Sequence, residues 1–168
     1  MPARFRQPKR RGEWAEMKFM VRAAEAGFTV SKPYGDSALY DFIVDAGGVL
    51  SRVQVKSVSV AQRDAYRICS GSGHRSKTAY TPSDLDFLAA YVIPHDAWYI
   101  IPVAAFTPVK TLRLRPHHPS RRRFELYREA WRLLHFSIPV TRSPAPSTSY
   151  PPALSPRPTS GSPPARAG

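Results

Sequence analysis

Cysteine is nearly absent from the sequence, since Cys69 is the single one among 168 residues. One thiol excludes an internal disulfide framework and a cysteine-rich zinc site. Apolar runs of about 18 residues, which a membrane span requires, are also absent, and charged residues interrupt the first apolar segment, unlike a secretion signal. We therefore expect a cytoplasmic protein that has no membrane partner.

Acidic residues are also scarce. Asp and Glu number 12 against 25 Lys and Arg, which leaves a formal net charge of +13. Such an excess indicates a polyanionic partner, and nucleic acid fits it best. Much of the excess lies at the ends, because residues 1–12 contain five basic residues and no acid, and residues 141–168 contain three arginines and no acid.

The composition divides the chain into three parts. Residues 141–168 hold eight of the 18 prolines, separated by small and polar residues, and this composition predicts a disordered tail. Residues 1–11 form a basic N-terminal arm. Residues 12–140 remain for one folded domain of ordinary size.

Helical spacing of apolar residues predicts two amphipathic helices. The first spans 12–27 and has as its apolar positions Trp14, Met17, Val21 and Ala24. The second spans 121–136 and has as its apolar positions Phe124, Tyr127, Trp131 and Leu134. Extended structure is predicted at 28–31, 39–46, 49–60, 65–69, 87–93 and 98–103.

The pair Gly47-Gly48 separates two of these strands and favours a two-residue hairpin turn. In that register the numbers of opposite residues sum to 95, so Asp41 lies opposite Gln54. Lys56 is two residues beyond Gln54 and projects from the same face. A slip by one residue would separate Asp41 from Gln54, so the grouping depends on this turn.

Asp41, Gln54 and Lys56 together suit metal-assisted hydrolysis of a phosphodiester. A carboxylate and an amide oxygen are ligands for a hard cation such as Mg²⁺, and an ammonium can stabilise charge that develops on a phosphate. A second carboxylate is needed, and the first helix offers both Glu13 and Glu16. The alternative interpretation is an ordinary cross-strand ion pair beside a half-exposed glutamine.

These residues stand in a longer pattern that comprises Gly12-x-x-x-Glu16, Gly27-Phe28, Pro33, Tyr40-Asp41, Val53-Gln54-Val55-Lys56, Tyr80, 84–87, 90–92, 98–102 and 127–131. The pattern resembles the PD-(D/E)xK nuclease superfamily over residues 12–136. Within it, the resemblance is strongest to homing endonucleases associated with group I introns, in which Gln replaces the second acidic residue. The resemblance implies an α/β, restriction-endonuclease-like core with a central mixed sheet and flanking helices.

The resemblance also implies a role for each of four residues. Glu16 would be the acid on the helix, Asp41 the central metal ligand, and Lys56 the catalytic lysine. Gln54 would bind the metal through its carbonyl oxygen, so that Glu16, Asp41 and Gln54 hold Mg²⁺ or Mn²⁺. Because Gln54 replaces an acid, the site has one negative charge less. Tyr40 stands where other members have proline.

The function that the resemblance implies is Mg²⁺-dependent cleavage of double-stranded DNA by a homo-oligomer, a dimer or a tetramer, since cutting both strands needs two sites. A Holliday-junction resolvase or repair nuclease, a DNA-binding module without activity, and an RNA-processing nuclease are the alternatives. The basic residues that we expect to contact DNA are Arg10, Arg11, Arg75, Lys77, Arg121, Arg122 and Arg123.

Overall fold

The structure is a computed structural model that describes residues 7–35, 37–73, 78–118 and 123–136. Four of the expected DNA contacts and the tail at 141–168 lie outside the described residues. Those four contacts are Arg75, Lys77, Arg121 and Arg122.

The first element is the helix α1, Pro8–Glu25, which begins earlier than the predicted start at Gly12. Proline suits the first turn of a helix, where its missing N–H would have no partner. Arg10 and Arg11 therefore belong to the helix. The helix ends at Glu25, and Gly27, which was predicted to stop it, follows two residues later with a φ of +84°. Within the described residues, no helix has the length and apolarity that crossing a bilayer requires.

The buried face of α1 differs from the predicted one. Ala15, Phe19 and Ala23 are buried at intervals of four residues, whereas Met17 and Val21 are 54% and 55% exposed. The prediction was wrong because it followed the large apolar side chains. Two alanines face the sheet instead and let the helix lie close to it, and one aromatic ring fills the space between them.

The strands are, in chain order, β1 Thr29–Ser31, β2 Phe42–Asp45, β3 Leu50–Val58, β4 Tyr66–Cys69, β5 Gly71–Ser72, β6 Thr78–Ala79, β7 Phe87–Val92, β8 Ala97–Pro102 and β9 Thr111–Leu114. Five of them form the central sheet in the order β1-β2-β3-β7-β8. Strands β3 and β7 are parallel and the other neighbours antiparallel, so the sheet is mixed as the resemblance implies. Strands β4 and β9 form a separate antiparallel ribbon.

Both faces of the central sheet are buried. Helix α1 covers one face, and its core includes the four side chains predicted to point away from the polar grouping, namely Phe42, Val44, Val53 and Val55. The ribbon β4–β9 contributes to the core on the other face through Tyr66, Ile68, Leu112 and Leu114. The sheet is thus held rigidly from both sides, and its strands fix the positions of the residues that they carry.

The C-terminal segment contradicts the predicted helix over 121–136. The structure has two short 3₁₀ helices there, Glu125–Tyr127 and Trp131–His135. Between them the chain runs along the edge strand β8, where the Glu129 N–H donates to the Trp98 carbonyl at 2.8 Å and the Glu129 carboxylate accepts the Trp98 N–H at 2.7 Å. These bonds cover a sheet edge that would otherwise be unpaired, and they outweigh helix propensity.

Candidate active site

The hairpin between β2 and β3 has the predicted register. Asp45 pairs with Leu50 and Phe42 with Val53, so opposite residues sum to 95. Gly47 and Gly48 both have positive φ, +70° and +98°, which a two-residue turn of this kind requires. The strand pair therefore opens at Asp41, next to Gln54, as the turn predicts.

Asp41 directly precedes β2. Beyond this point β3 continues without a partner strand on the β2 side. The Asp41 N–H donates to the Val53 carbonyl at 2.9 Å, and its Oδ2 accepts the Val55 N–H at 2.8 Å. The carboxylate thus replaces the missing strand as acceptor for β3. The Oδ2 atom also accepts a hydrogen bond from Nε2 of Gln54, which is 7% exposed.

The remaining oxygens of this pair are uncommitted within the described part of the chain. No described residue donates to Oδ1 of Asp41 or to Oε1 of Gln54. Because Nε2 of Gln54 bonds both Asp41 and the Val55 carbonyl, the amide is held in one orientation. One carboxylate oxygen and one amide oxygen of two hydrogen-bonded side chains therefore have no donor among the described residues.

Glu16 comes to this place from α1. Its side chain is 24% exposed and its Oε2 accepts a hydrogen bond from the Lys32 ammonium at 2.7 Å. Glu13, the other candidate acid, is exposed. The helix therefore presents Glu16 at the site, because Glu16 adjoins the buried stripe of Ala15 and Phe19.

Lys56 lies on β3 two residues from Gln54 and is half-buried. Its positive charge lowers the pKa of Asp41, so the two groups are within electrostatic reach. No described residue forms a hydrogen bond or ion pair with the Lys56 ammonium. The ammonium is therefore available to an anion that enters the site.

The electrostatics of the site disfavour a charged Asp41. Burial raises the pKa of the Asp41 carboxyl above its ordinary value, and the negative charge of Glu16 raises it further. The Val55 N–H, the Lys56 ammonium and the Gln54 amide act in the opposite direction without cancelling the rise. A further cation at the site would relieve this repulsion.

Two residues to which the sequence analysis assigned no role also lie here. The Lys32 ammonium is 5.7 Å from the centre of the Phe42 ring, and its pKa is raised mainly by the hydrogen bond to Glu16. Burial raises the pKa of Tyr80 to about 12, and the charge of Asp41 contributes. Tyr80 belongs to the family-like pattern, but a lysine at a strand end gives no sequence signal.

Three of the predicted DNA contacts are described. Arg10 is exposed on α1. Arg11 donates to the Ser59 hydroxyl at 3.4 Å, just beyond β3. Arg123 donates to the Ala105 carbonyl at 2.7 Å and lies 5.3 Å from the Phe124 ring centre.

The donor set contains few protein ligands, and their chemistry fits a hard divalent cation. The described residues include no group of three or more His, Cys, Asp or Glu side chains placed to hold a metal. The site offers two carboxylates and one amide oxygen, and an all-oxygen set with few protein ligands is typical of Mg²⁺, which keeps several waters. The raised pKa of Asp41 and its free Oδ1 are consistent with such an ion.

Comparisons with known proteins identify the family of the chain. The family model of the PD-(D/E)XK endonuclease matches residues 6–134. Among solved structures the chain is similar to a bacterial homing endonuclease, I-Ssp6803I, with 31% identity, coverage of 76% of this chain and 92% of that one, and a TM-score of 0.66.

A second solved structure is Hjc, a Holliday junction resolvase from the archaeal hyperthermophile Archaeoglobus fulgidus. It shares 17% identity over 62% of this chain and 84% of its own, with a TM-score of 0.43. The comparison with curated proteins found no match. The extent of the family match and the similarity to the bacterial enzyme lead to one conclusion: the chain belongs to the PD-(D/E)XK endonuclease family.

Proposed function

We propose that this protein is a Mg²⁺-dependent endonuclease that hydrolyses phosphodiester bonds in double-stranded DNA, as a homing endonuclease does. The observation that carries the proposal is the hydrogen bond between Asp41 and Gln54, with Glu16 and Lys56 within electrostatic reach of Asp41. Two carboxylates, an amide oxygen and an ammonium are the groups that this hydrolysis requires.

Asp41, Gln54 and Glu16 are the residues that would hold the cation. All three offer oxygen, which suits Mg²⁺ and also Mn²⁺. When bound, the cation neutralises charge on the scissile phosphate and withdraws electron density from phosphorus. The Lys32 ammonium, which donates to Oε2 of Glu16, would compete with the cation for the charge of this carboxylate.

Lys56 would act on the phosphate directly. As a water oxygen bonds to phosphorus, negative charge grows on the non-bridging oxygens, and a nearby ammonium stabilises that charge. The attacking water gives up one proton to the solvent, the bond from phosphorus to the 3′ oxygen breaks, and the 3′ oxygen takes up one proton from the solvent. The products are a 5′-phosphate and a 3′-hydroxyl.

Double-strand cleavage would need two such sites, so we propose a homo-oligomer with the site repeated by symmetry. An exposed apolar patch on α1 supports self-association. The patch consists of Met17, Met20 and Val21, which share one face of the helix and are 54%, 39% and 55% exposed.

Cleavage of a supercoiled plasmid in Mg²⁺ tests the proposal. We expect nicked and linear products from the native protein, none in EDTA, and a loss of at least about a hundredfold in rate for Lys56→Met. Lys18→Met is the matched control, because Lys18 is also a half-buried lysine but pairs with Asp96 at 3.5 Å, away from the site.

Three results would overturn the proposal. They are unchanged cleavage by Lys56→Met, cleavage that persists in EDTA, and a native protein that binds duplex DNA without cutting it in Mg²⁺ or Mn²⁺. Preferential cutting of a four-way junction over a linear duplex would make the protein a resolvase instead. Preferential cutting of RNA would remove DNA as the substrate.

A further inference from the structure

The ribbon β4–β9 carries two arginines directly opposite each other. Arg67 pairs with Arg113 in the antiparallel register, and both side chains are exposed. Side chains alternate between the two faces of each strand. The neighbours of the two arginines point into the core, so the arginines themselves point to solvent. Like charges directly opposite on a strand pair destabilise the pair, so this arrangement costs stability.

Little in the described structure offsets that cost. Arg67 donates to the neutral Gln62 amide oxygen at 3.3 Å. No described residue forms a hydrogen bond or ion pair with the Arg113 guanidinium. Asp64 lines the same cavity as the two arginines, but it already binds Arg115 at 2.9 Å. The cavity therefore has an excess of positive charge.

A fourth arginine adds to this surface. Arg63, with a φ of +58°, lines the same cavity as Arg67 and Arg113, and Arg113 also lines an adjoining cavity that includes Arg115 and Arg123. We call the set Arg63, Arg67, Arg113 and Arg115 the arginine face. Asp64 is the single acid of the cavity, so the face lacks a full counter-charge of its own.

The arginine face leads toward the candidate active site. Ser70, directly after β4, donates its N–H to the Lys110 carbonyl at 3.1 Å and accepts the Tyr80 N–H at 3.2 Å, so the ribbon and the segment ending at Tyr80 are hydrogen-bonded. The charges of Cys69 and Asp41 both raise the pKa of Tyr80. Arg67 is two residues from Cys69, about 7 Å along the strand.

We infer that the arginine face binds the phosphate backbone of double-stranded DNA next to the scissile bond. This inference rests on the proposed function and names the surface that would hold the substrate. A phosphate between Arg67 and Arg113 would neutralise both charges, and guanidinium groups bind phosphate in bidentate geometry. DNA is favoured over an acidic protein because the ribbon that carries these arginines is hydrogen-bonded to the segment of Tyr80, whose side chain is within electrostatic reach of Asp41.

Salt-dependent DNA binding tests the inference. The probe is a labelled duplex of about 30 base pairs in Ca²⁺, with the KCl concentration varied between about 50 and 200 mM. For Arg67→Gln with Arg113→Gln we expect an affinity about tenfold weaker near 100 mM salt and a salt slope smaller by about 2, one unit for each lost phosphate contact. Because the like charges are removed, Tm should not fall.

The matched control is Lys18→Gln with Arg132→Gln. It removes the same charge from the side of the sheet that α1 covers, and we expect its affinity to stay within about twofold of the native value. Native affinity and native salt slope in the variant Arg67→Gln with Arg113→Gln would overturn the inference, even if the native protein cuts plasmid DNA. Equal losses in the two double variants would also overturn it, since net charge alone would then explain binding. A competition experiment adds an acidic polypeptide to the complex of the native protein with the duplex. A polypeptide that displaces no DNA supports the inference, and one that displaces DNA at equal charge overturns it.

Discussion

At the scale of single residues, Asp41 combines a structural and a chemical task. Its carboxylate accepts the Val55 N–H where a neighbouring strand is missing, and it holds the Gln54 amide. Both tasks need an acceptor, but only the proposed chemistry needs a charge. The charge is therefore a cost to the fold, because burial and Glu16 raise the pKa of Asp41.

Asp41→Asn should separate these tasks. Since folding raises the pKa of Asp41, the native state binds more protons than the unfolded chain between the ordinary and the raised pKa, and stability falls as pH increases through that window. Asparagine keeps an oxygen acceptor and carries no charge. We expect a higher Tm than native at pH 7 in EDTA, a difference that shrinks as the pH falls below the pKa of Asp41, and cleavage reduced at least about a hundredfold.

Thermal unfolding between about pH 4 and 8 measures this effect. Asp64→Asn is the control, because the exposed Asp64 binds Arg115 and its pKa is lowered by that hydrogen bond. It should not raise Tm. A Tm that Asp41→Asn lowers at pH 7 would contradict the electrostatic account of the site.

Lys32 acts, on this account, as a cation that competes with the metal for Glu16. Its ammonium is 2.7 Å from the Glu16 carboxylate. Lys32→Met should therefore bind Mn²⁺ several-fold more tightly in calorimetry, because the variant lacks the positive charge that competes with the ion beside Glu16. Lys18→Met should leave the affinity unchanged, and an unchanged or weaker affinity of Lys32→Met would contradict the competition.

At the scale of elements, an arginine on β3 holds the turn that leads into β7. The Arg52 guanidinium donates to both Asp86 carboxylate oxygens, at 2.9 and 3.1 Å, and to the carbonyls of Pro82 and Ser83. The Arg52 N–H also donates to Asp86 at 2.7 Å. This cluster fixes β3, which carries Gln54 and Lys56, against its parallel neighbour.

Asp86→Ala should destabilise the fold by about 3 kcal/mol, because it leaves a largely buried guanidinium without its partner. Urea unfolding measures the loss. Asp84→Ala, which removes a half-buried carboxylate bonded to Thr81, should cost about 1 kcal/mol. Equal losses in the two variants would show that the Arg52 cluster is not a special support of β3.

The elements also show which features the sequence can and cannot predict. The Gly47-Gly48 turn fixes the hairpin register locally. The proximity of Asp41 and Gln54 could therefore be predicted from the turn and the strand period. The C-terminal segment was mispredicted because its structure depends on a distant partner, the edge of β8. Its apolar residues Phe124, Trp131 and Leu134 are nevertheless buried.

At the scale of the whole molecule, the net charge of +13 predicts a nucleic-acid partner, and the exposed patch on α1 predicts self-association. The positions of Lys32 and of the arginine face could not be predicted, because each depends on which strands become neighbours. Strand β9, with Arg113, has four residues and is too short to give a clear sequence signal.

Light scattering after size exclusion tests the oligomer. We expect at least a dimer, and a smaller mass for Met17→Gln with Val21→Gln, because these changes remove the exposed apolar patch. Leu126→Gln, at a position that is 63% exposed outside α1, should leave the mass unchanged. A native protein of monomer mass, or a double variant of native mass, would contradict this interface.

The central claim is that Asp41, Gln54 and Glu16 form one divalent-cation site, and calorimetric titration of the DNA-free protein with Mn²⁺ tests it most directly. The account predicts uptake of one ion per chain by the native protein. It predicts no uptake by Asp41→Asn and native uptake by Asp64→Asn. Equal uptake by Asp41→Asn and the native protein would contradict the account.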